Sequence, residues 1–156
     1  MGLKPISLKR LIIYIAVTLG FGLIGVILGG STKFYGDIIK PPLSPPAAVF
    51  PIVWTILYIL LGIAIYLIVV EKPGNIENIL KVYWIQLAVN AIWPAFFWRF
   101  NAYTISSILI IIMLVLTAWL IFKSTKINKT SAYLFTVYAL WLLFALYLNV
   151  GIAIKN

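Results

Sequence analysis

Phe34-Tyr35-Gly36-Asp37-Ile38-Ile39-Lys40-Pro41-Pro42-Leu43-Ser44-Pro45-Pro46, continuing into Ala47-Ala48-Val49-Phe50-Pro51-Ile52-Val53-Trp54, is the stretch whose reading decides the fold. Four prolines fall between positions 41 and 46. Each lacks an N–H and fixes φ, so the segment can be neither an ordinary helix nor a paired strand. It predicts a semi-rigid connector between two apolar helices. Those flanking runs are each about 20 residues long, the length that crosses roughly 30 Å of hydrocarbon.

Working outward, the chain repeats this pattern. Its residues are 64% hydrophobic and only 10% charged, with a mean hydropathy of +1.13, which excludes an ordinary soluble domain. No ten-residue segments alternate apolar and polar, which argues against a membrane β-barrel. The expected architecture is an all-α integral membrane protein: one domain over residues 1–156, a bundle of five transmembrane helices with the Pro-rich first loop as a lid. The spans are expected at about 8–29, 47–70, 79–97, 104–122 and 131–154, with Pro94 interrupting the third. The polar turn Glu71-Lys72-Pro73-Gly74-Asn75 and the basic loop from Lys123 to Thr130 separate spans.

Twelve Lys and Arg oppose Asp37, Glu71 and Glu77. The basic residues flank spans, so anionic headgroups explain them and nucleic acid does not. Lys4, Lys9, Arg10, Lys72, Lys123, Lys126 and Lys129, with Lys81 one turn inside its span, fall on the N-terminal side; Lys33, Lys40, Arg99 and Lys155 fall on the other. That bias predicts a cytoplasmic N-terminus and an outward-facing Pro-rich loop. The Lys4–Arg10 cluster resembles a secretory leader, but the apolar run that follows is longer than a leader's and reads as a retained span.

The chain has no cysteine or histidine, which removes disulfides, thiol nucleophiles, imidazole bases and the usual haem and zinc ligands. The three acids are expected in loops, so no catalytic constellation is visible. Gln86 and Asn90 are four apart and share one face of the third span. An unpaired amide in hydrocarbon costs several kcal/mol, roughly 2–7, so that face must look inward, into an interhelical hydrogen bond or a polar cavity. Pro51, Trp54, Tyr58 and Leu61 form a stripe on the second span; Tyr138, Trp141, Ala145 and Asn149 form one on the fifth. Facing the Gln86/Asn90 surface, these stripes would wall an aromatic pocket for a flat, largely apolar ligand. Gly25 and Gly29 make a small-xxx-small pair, readable as a dimer seam or an intramolecular one.

The ordered set Phe34-Tyr35, Lys40-Pro41, Pro45-Pro46, Phe50-Pro51-Ile52-Val53-Trp54 with Leu57-Tyr58, Gln86-Leu87-Ala88-Val89-Asn90-Ala91-Ile92-Trp93 with Phe96-Phe97, and Leu140-Trp141 with Ala145 and Tyr147-Leu148-Asn149 resembles the TspO/translocator protein family, also called the tryptophan-rich sensory protein or peripheral benzodiazepine receptor family. The resemblance implies a receptor- or transporter-like protein of a bacterial plasma membrane that binds porphyrins such as protoporphyrin IX or haem-related tetrapyrroles, and acts in their sensing, scavenging or transport. It requires no cofactor, the porphyrin or haem being ligand. Tyr35, Trp54, Asn90, Trp141 and Ala145 stand at the family's pocket positions, with Pro45, Tyr58, Gln86 and Trp93 beside them. Light-dependent porphyrin degradation through Trp54 and Trp141 is the enzymatic alternative, and a structural or regulatory membrane partner is the third. A homodimer is implied, through Gly25, Gly29, Ala91 and Ala95.

The chain departs from the family pattern in places. Phe34 and Leu43 stand where tryptophans are common, so lid closure is expected to rest on shape and apolar contact, and Lys33 and Lys40 are expected to attract propionates at the mouth. Ser106-Ser107-Ile108 replaces an acidic start to the fourth span. Tyr147 is followed by Lys155 only after seven residues, which does not support the C-terminal sterol pattern.

Overall fold

The computed structural model describes residues 7–156, apart from the side chains of Lys33 and Phe34. Lys4 and the propionate contact expected of Lys33 lie outside the described residues. The fold is all-α: α1 (Leu8–Gly29), α2 (Val49–Glu71), α3 (Ile76–Pro94, prolonged by a π-type turn Ala95–Arg99), α4 (Tyr103–Thr125) and α5 (Lys129–Lys155). All five are long and apolar enough to cross a membrane.

The ends differ from expectation for local reasons. Pro46 accepts from Val49 N at 3.0 Å, so α2 begins only there. The turn at Pro73 leads straight into α3, with Ile76 N bonded to Pro73 O at 3.1 Å. Asn128 caps α5 by accepting from Ser131 N at 3.1 Å, which shortens the basic loop. Pro94 does not interrupt its span. The following turn widens, Phe100 N reaching Ala95 O at 3.0 Å, and the axis continues. Glu71 ends α2 and Glu77 lies in the first turn of α3, not in loops; a negative charge there complements the helix N-terminus.

Around the bundle the packing order is α1, α2, α5, α4, α3 and back to α1, while α2 and α3 barely touch. Ile12, Ile13, Leu23, Ile24, Ile108, Ile111 and Val115 are exposed on the outer surface. Thr18, Gln86, Asn90, Ser106, Ser107, Thr117, Ser124, Ser131 and Asn149 are buried inside. That inside-out distribution suits a hydrocarbon solvent, in which packing and interhelical hydrogen bonds associate the helices.

Side-chain hydrogen bonds tie three of the neighbouring pairs. Thr18 Oγ1 meets Tyr83 OH at 2.7 Å (α1 to α3), and Ser131 Oγ donates to Ala64 O at 2.8 Å (α5 to α2). Between α4 and α5, Asn149 Nδ2 donates to Tyr103 O at 2.7 Å and Ser107 Oγ at 2.8 Å, while Ser106 Oγ donates to Asn149 Oδ1 at 3.0 Å. Ser106 and Ser107 thus match a neutral amide, a pairing that needs no buried charge. Gly25 and Gly29 are buried against α3 of the same chain. A Cβ on Gly25 would stand 3.3 Å from Pro94 Cγ and 3.4 Å from Ala91 O, and one on Gly29 2.9 Å from Pro94 Cβ. Of the two readings of this pair, the structure has the intramolecular seam, with Ala91 buried in it and Ala95 half-buried.

The connector from Gly30 to Ala48 contains a single 3₁₀ turn, Lys33–Gly36, that inserts Tyr35 into the core. Its phenol donates to Pro45 O at 3.2 Å, and its ring packs edge-on against Phe50 and Trp98. Burial pushes the Tyr35 phenol above its ordinary pKa, with a Ser44 hydrogen bond partly offsetting this. The middle of the connector docks on α5. Tyr147 OH donates to Pro42 O at 2.8 Å, and Asn156 clasps Ile39 through Ile39 N to Oδ1 at 3.0 Å and Nδ2 to Ile39 O at 2.9 Å. Gly151 leaves room for Pro41, whose Cβ and Cγ would lie 2.7 Å from an added Cβ. Leu43, expected to supply apolar closure, is 82% exposed with φ +64°. The proline pairs fix the chain on both sides of Leu43 and Ser44, and the left-handed turn falls on the first of these two residues.

The clasp makes a prediction. Asn156→Ala removes both bonds to Ile39, worth about 0.5–1.5 kcal/mol each at most when solvent-exposed. Amide exchange at Ile39, measured by deuterium uptake in detergent, is expected to quicken roughly fivefold with helical content unchanged. Unaltered exchange would mean that Tyr147 and Gly151 hold the connector alone.

Candidate functional site

Because α2 and α3 barely meet, the space between them at the connector end is closed by α1, and a cavity of about 460 Å³ remains there. On α2, Phe50, Trp54 and Tyr58 follow at four-residue spacing and share one face. On α3, Asn90, Trp93 and Pro94 face them, with Trp98 in the wider turn beyond. On α1, Gly22, Gly25 and Gly29 carry no side chain to fill the volume. Gly30, Thr32, Ala47 and Ala48, the two ends of the connector, line the mouth.

Beneath the cavity lies a polar chain. Tyr58 OH donates to Asn90 Oδ1 at 2.7 Å, Asn90 Nδ2 donates to Tyr138 OH at 2.7 Å, and Gln86 Nε2 also donates to Tyr138 OH. Tyr138 OH in turn points at Met113 Sδ, 3.8 Å away. Among the described residues, the buried Gln86 Oε1, Trp93 Nε1 and Trp141 Nε1 have no hydrogen-bond partner. Such orphans are unusual in a folded interior and call for an explanation.

The aromatic side chains form a partition. Trp54 lies 6.1 Å from Trp93, 5.9 Å from Tyr58, 6.4 Å from Tyr138 and 6.5 Å from Trp141, ring centre to ring centre. Phe50, Trp54, Trp93 and Trp98 line the large cavity on one side and, on the other, a void of about 20 Å³ bordered by Tyr35, Ala145 and Asn149. That void is the size of one water.

The structure therefore brings Trp54, Tyr58, Asn90 and Trp93 together on the large cavity, and Tyr35 and Ala145 on the small one. Trp141 packs behind Trp54 and Phe50 without lining either. Gln86 is fully buried below the cavity and is linked to it through Tyr138, which also accepts from the lining residue Asn90. Pro45 supplies a carbonyl to Tyr35 and does not line it. The pocket expected between α2, α3 and α5 is displaced toward α1, because Tyr138 and Trp141 fill the α5 side. Sequence reasoning missed Trp98 and the role of the α1 glycines. The spacing of Gly22, Gly25 and Gly29, three and then four residues, was the available signal.

Chemically, the lining is apolar with a few fixed polar groups and carries no charged side chain. Such a lining fits a site for a largely apolar ligand.

Comparison with known proteins agrees in the same terms. A model of the TspO/MBR family matches residues 12–155. The chain is 26% identical over 155 residues to a tryptophan-rich protein TspO of Chlorobaculum tepidum, covering 98% of each. It is 31% identical over 117 residues to a tryptophan-rich sensory protein of Cereibacter sphaeroides, covering 75% of this chain and 73% of that one. It is also 30% identical over 128 residues to a translocator protein homolog of Schizosaccharomyces pombe, covering 80% and 78%. With its five apolar helices in a closed ring and its tryptophan-lined cavity, this multi-pass membrane protein belongs to the TspO/MBR family.

Proposed function

We propose that the protein binds protoporphyrin IX or a haem-related tetrapyrrole between α1, α2 and α3, and acts in tetrapyrrole sensing, scavenging or transport. The observation that carries this reading is the cavity of about 460 Å³ walled by Trp54, Trp93, Trp98 and Phe50 over Asn90 and Tyr58. Ligand-sized pockets are of this volume and this mostly apolar character. The Trp93 N–H is buried in that wall without a partner, so a ligand that displaces the wall would find a donor there. A relative named as a sensory protein is consistent with a receptor role.

In this reading the connector is the lid. It hinges at Gly30, whose φ of +71° suits glycine, and at the start of α2. Displacing the aromatic partition would join the small void to the cavity and bring Ala145, Tyr35 and then Trp141 into contact with a larger ligand. The protein sits in a bacterial plasma membrane with a cytoplasmic N-terminus, supported by Lys9, Arg10, Lys72, Lys123, Lys126 and Lys129 gathering at one end of the bundle. A homodimer would use another surface than Gly25, Gly29 and Ala91, which are taken up inside one chain.

Titrating protoporphyrin IX into the detergent-solubilised protein, with tryptophan emission and the Soret band followed together, tests the reading. Saturable quenching is expected, weakened at least about tenfold in a Trp54→Leu/Trp141→Leu variant, since each base- or ring-stacking contact is worth about 1–3 kcal/mol. Quenching that is absent, or indifferent to these substitutions, would sink it. The contact of Trp54 with both Trp93 and Trp141 favours one second reading, light-dependent porphyrin breakdown. Illuminating the saturated complex separates the two: ligand loss requiring light and tryptophan marks degradation, and a stable ligand marks binding.

A further inference from the structure

The last residue of the widened α3 turn, Arg99, lies back across the C-terminal end of α1. Its Nη2 donates to Ile27 O at 3.3 Å. Nη2 and Nε stand 3.6 and 3.7 Å from where a Cβ on Gly30 would be. Gly30, beside this guanidinium, and Trp98, the residue before Arg99 in the chain, both line the cavity. From this placement we propose that Arg99 selects ligands by charge, receiving at the rim a carboxylate carried on the edge of a ligand whose apolar body sits in the cavity.

One long hydrogen bond occupies one of the five N–H donors of a guanidinium. Arg99 is exposed, and among the described residues no carboxylate pairs with it. Of the two cations that sequence reasoning favoured at this end, the side chain of Lys33 lies outside the described residues and Lys40 is engaged elsewhere: Lys40 Nζ donates to Tyr35 O at 2.7 Å and lies 4.8 Å above the Tyr35 ring. The cavity lining has no charge. An acid group inside would be desolvated without compensation, so it must stay at the rim, where the planar fork of Arg99 matches its two oxygens. A Cβ on Gly30 would meet the guanidinium at ordinary van der Waals distance, so the two lie side by side at this rim. The oxyanion has two possible sources, a carboxylate of the seated ligand and the phosphate of a lipid headgroup, and the ligand is the one proposed.

The proposal rests on the tetrapyrrole reading, and its test keeps the two apart. Wild type, Arg99→Gln and Arg99→Lys are titrated in neutral, lipid-free detergent with protoporphyrin IX and with its uncharged dimethyl ester. Wild type is expected to bind the diacid about five- to tenfold more tightly than the diester. Arg99→Gln should bring the diacid to the level of the diester and leave the diester unchanged, with Arg99→Lys between. Equal weakening of both ligands would make Arg99 only a cap for the α1 carbonyls and overturn the proposal. Equal binding of both by wild type, with retention of phosphatidylglycerol that depends on Arg99, would assign the guanidinium to lipid and overturn it too. In either case the diester still binds and the tetrapyrrole reading stands. Saturable binding of neither ligand to wild type would remove both.

Discussion

Asn90→Leu is expected to lower the stability of the bundle by about 2 kcal/mol, a large loss for a substitution of near-equal volume. Asn90 is 1% exposed and joins three helices: it accepts from Tyr58 of α2 and donates to Tyr138 of α5, both at 2.7 Å. Leucine would leave the Tyr58 hydroxyl without its acceptor, and a buried hydroxyl so orphaned costs about 1–3 kcal/mol. Tyr138 would keep Gln86 and Met113 and lose less. Hydrogen bonds inside membranes have measured smaller, about 0.6 kcal/mol on average and up to about 1.7, which holds the sum near 2 and not near 5. The check is the thermal-unfolding midpoint in detergent, followed by circular dichroism. Tyr58→Phe should cost roughly half as much, and the double variant should fall short of the sum, because both changes remove one bond. A midpoint for Asn90→Leu equal to that of wild type would show that the polar chain adds nothing to the packing of α2, α3 and α5.

That chain was half legible in the sequence. The burial of Gln86 and Asn90 followed from the cost of an amide in hydrocarbon, and their shared helical face followed from four-residue spacing. The number of spans followed from the lengths of the apolar runs. What the sequence did not disclose is which helix neighbours which. Helices apolar on nearly every side show aromatic stripes but no polar face opposite them, so the order α1, α2, α5, α4, α3 emerges only from packing. The misplacement of the pocket has the same origin. Trp54 and Trp141 are in contact, as their stripes suggested, but that contact is filled. The open volume lies on the other face of Trp54, against glycines that read as a seam. Pro94 misled for a related reason: a proline in an isolated helix ends it, whereas here a wider turn and the close fit of α1 at Gly25 and Gly29 carry the helix on. The Ser106/Ser107 pair, noted only as a missing acid, became intelligible once Asn149 was placed opposite.

The glycine face also supplies the sharpest test of the cavity. Gly22→Ala is expected to weaken tetrapyrrole binding about tenfold while leaving the bundle folded. A Cβ on Gly22 would overlap the Tyr58 ring, standing 2.6 Å from Cδ2 and 3.0 Å from Cζ. The ring has little room to yield, since its hydroxyl is held by Asn90 and its face lies against Trp54 at 5.9 Å. It must therefore swing toward the cavity it borders, or α1 must tilt away; either changes the shape that a ligand meets. Stability moves much less than affinity because two terms oppose. Overpacking costs about 1–3 kcal/mol, and alanine is favoured over glycine in a helix by about 1 kcal/mol. Gly20→Ala is the control, since nothing lies within 4 Å of its added Cβ. It gains the helical preference without the overlap, and should bind as wild type does. Titration of both variants with protoporphyrin IX decides the matter. Equal affinity in Gly20→Ala and Gly22→Ala would mean that the ligand does not use the space between α1 and Tyr58, and the site would have to be sought on the α5 side of Trp54.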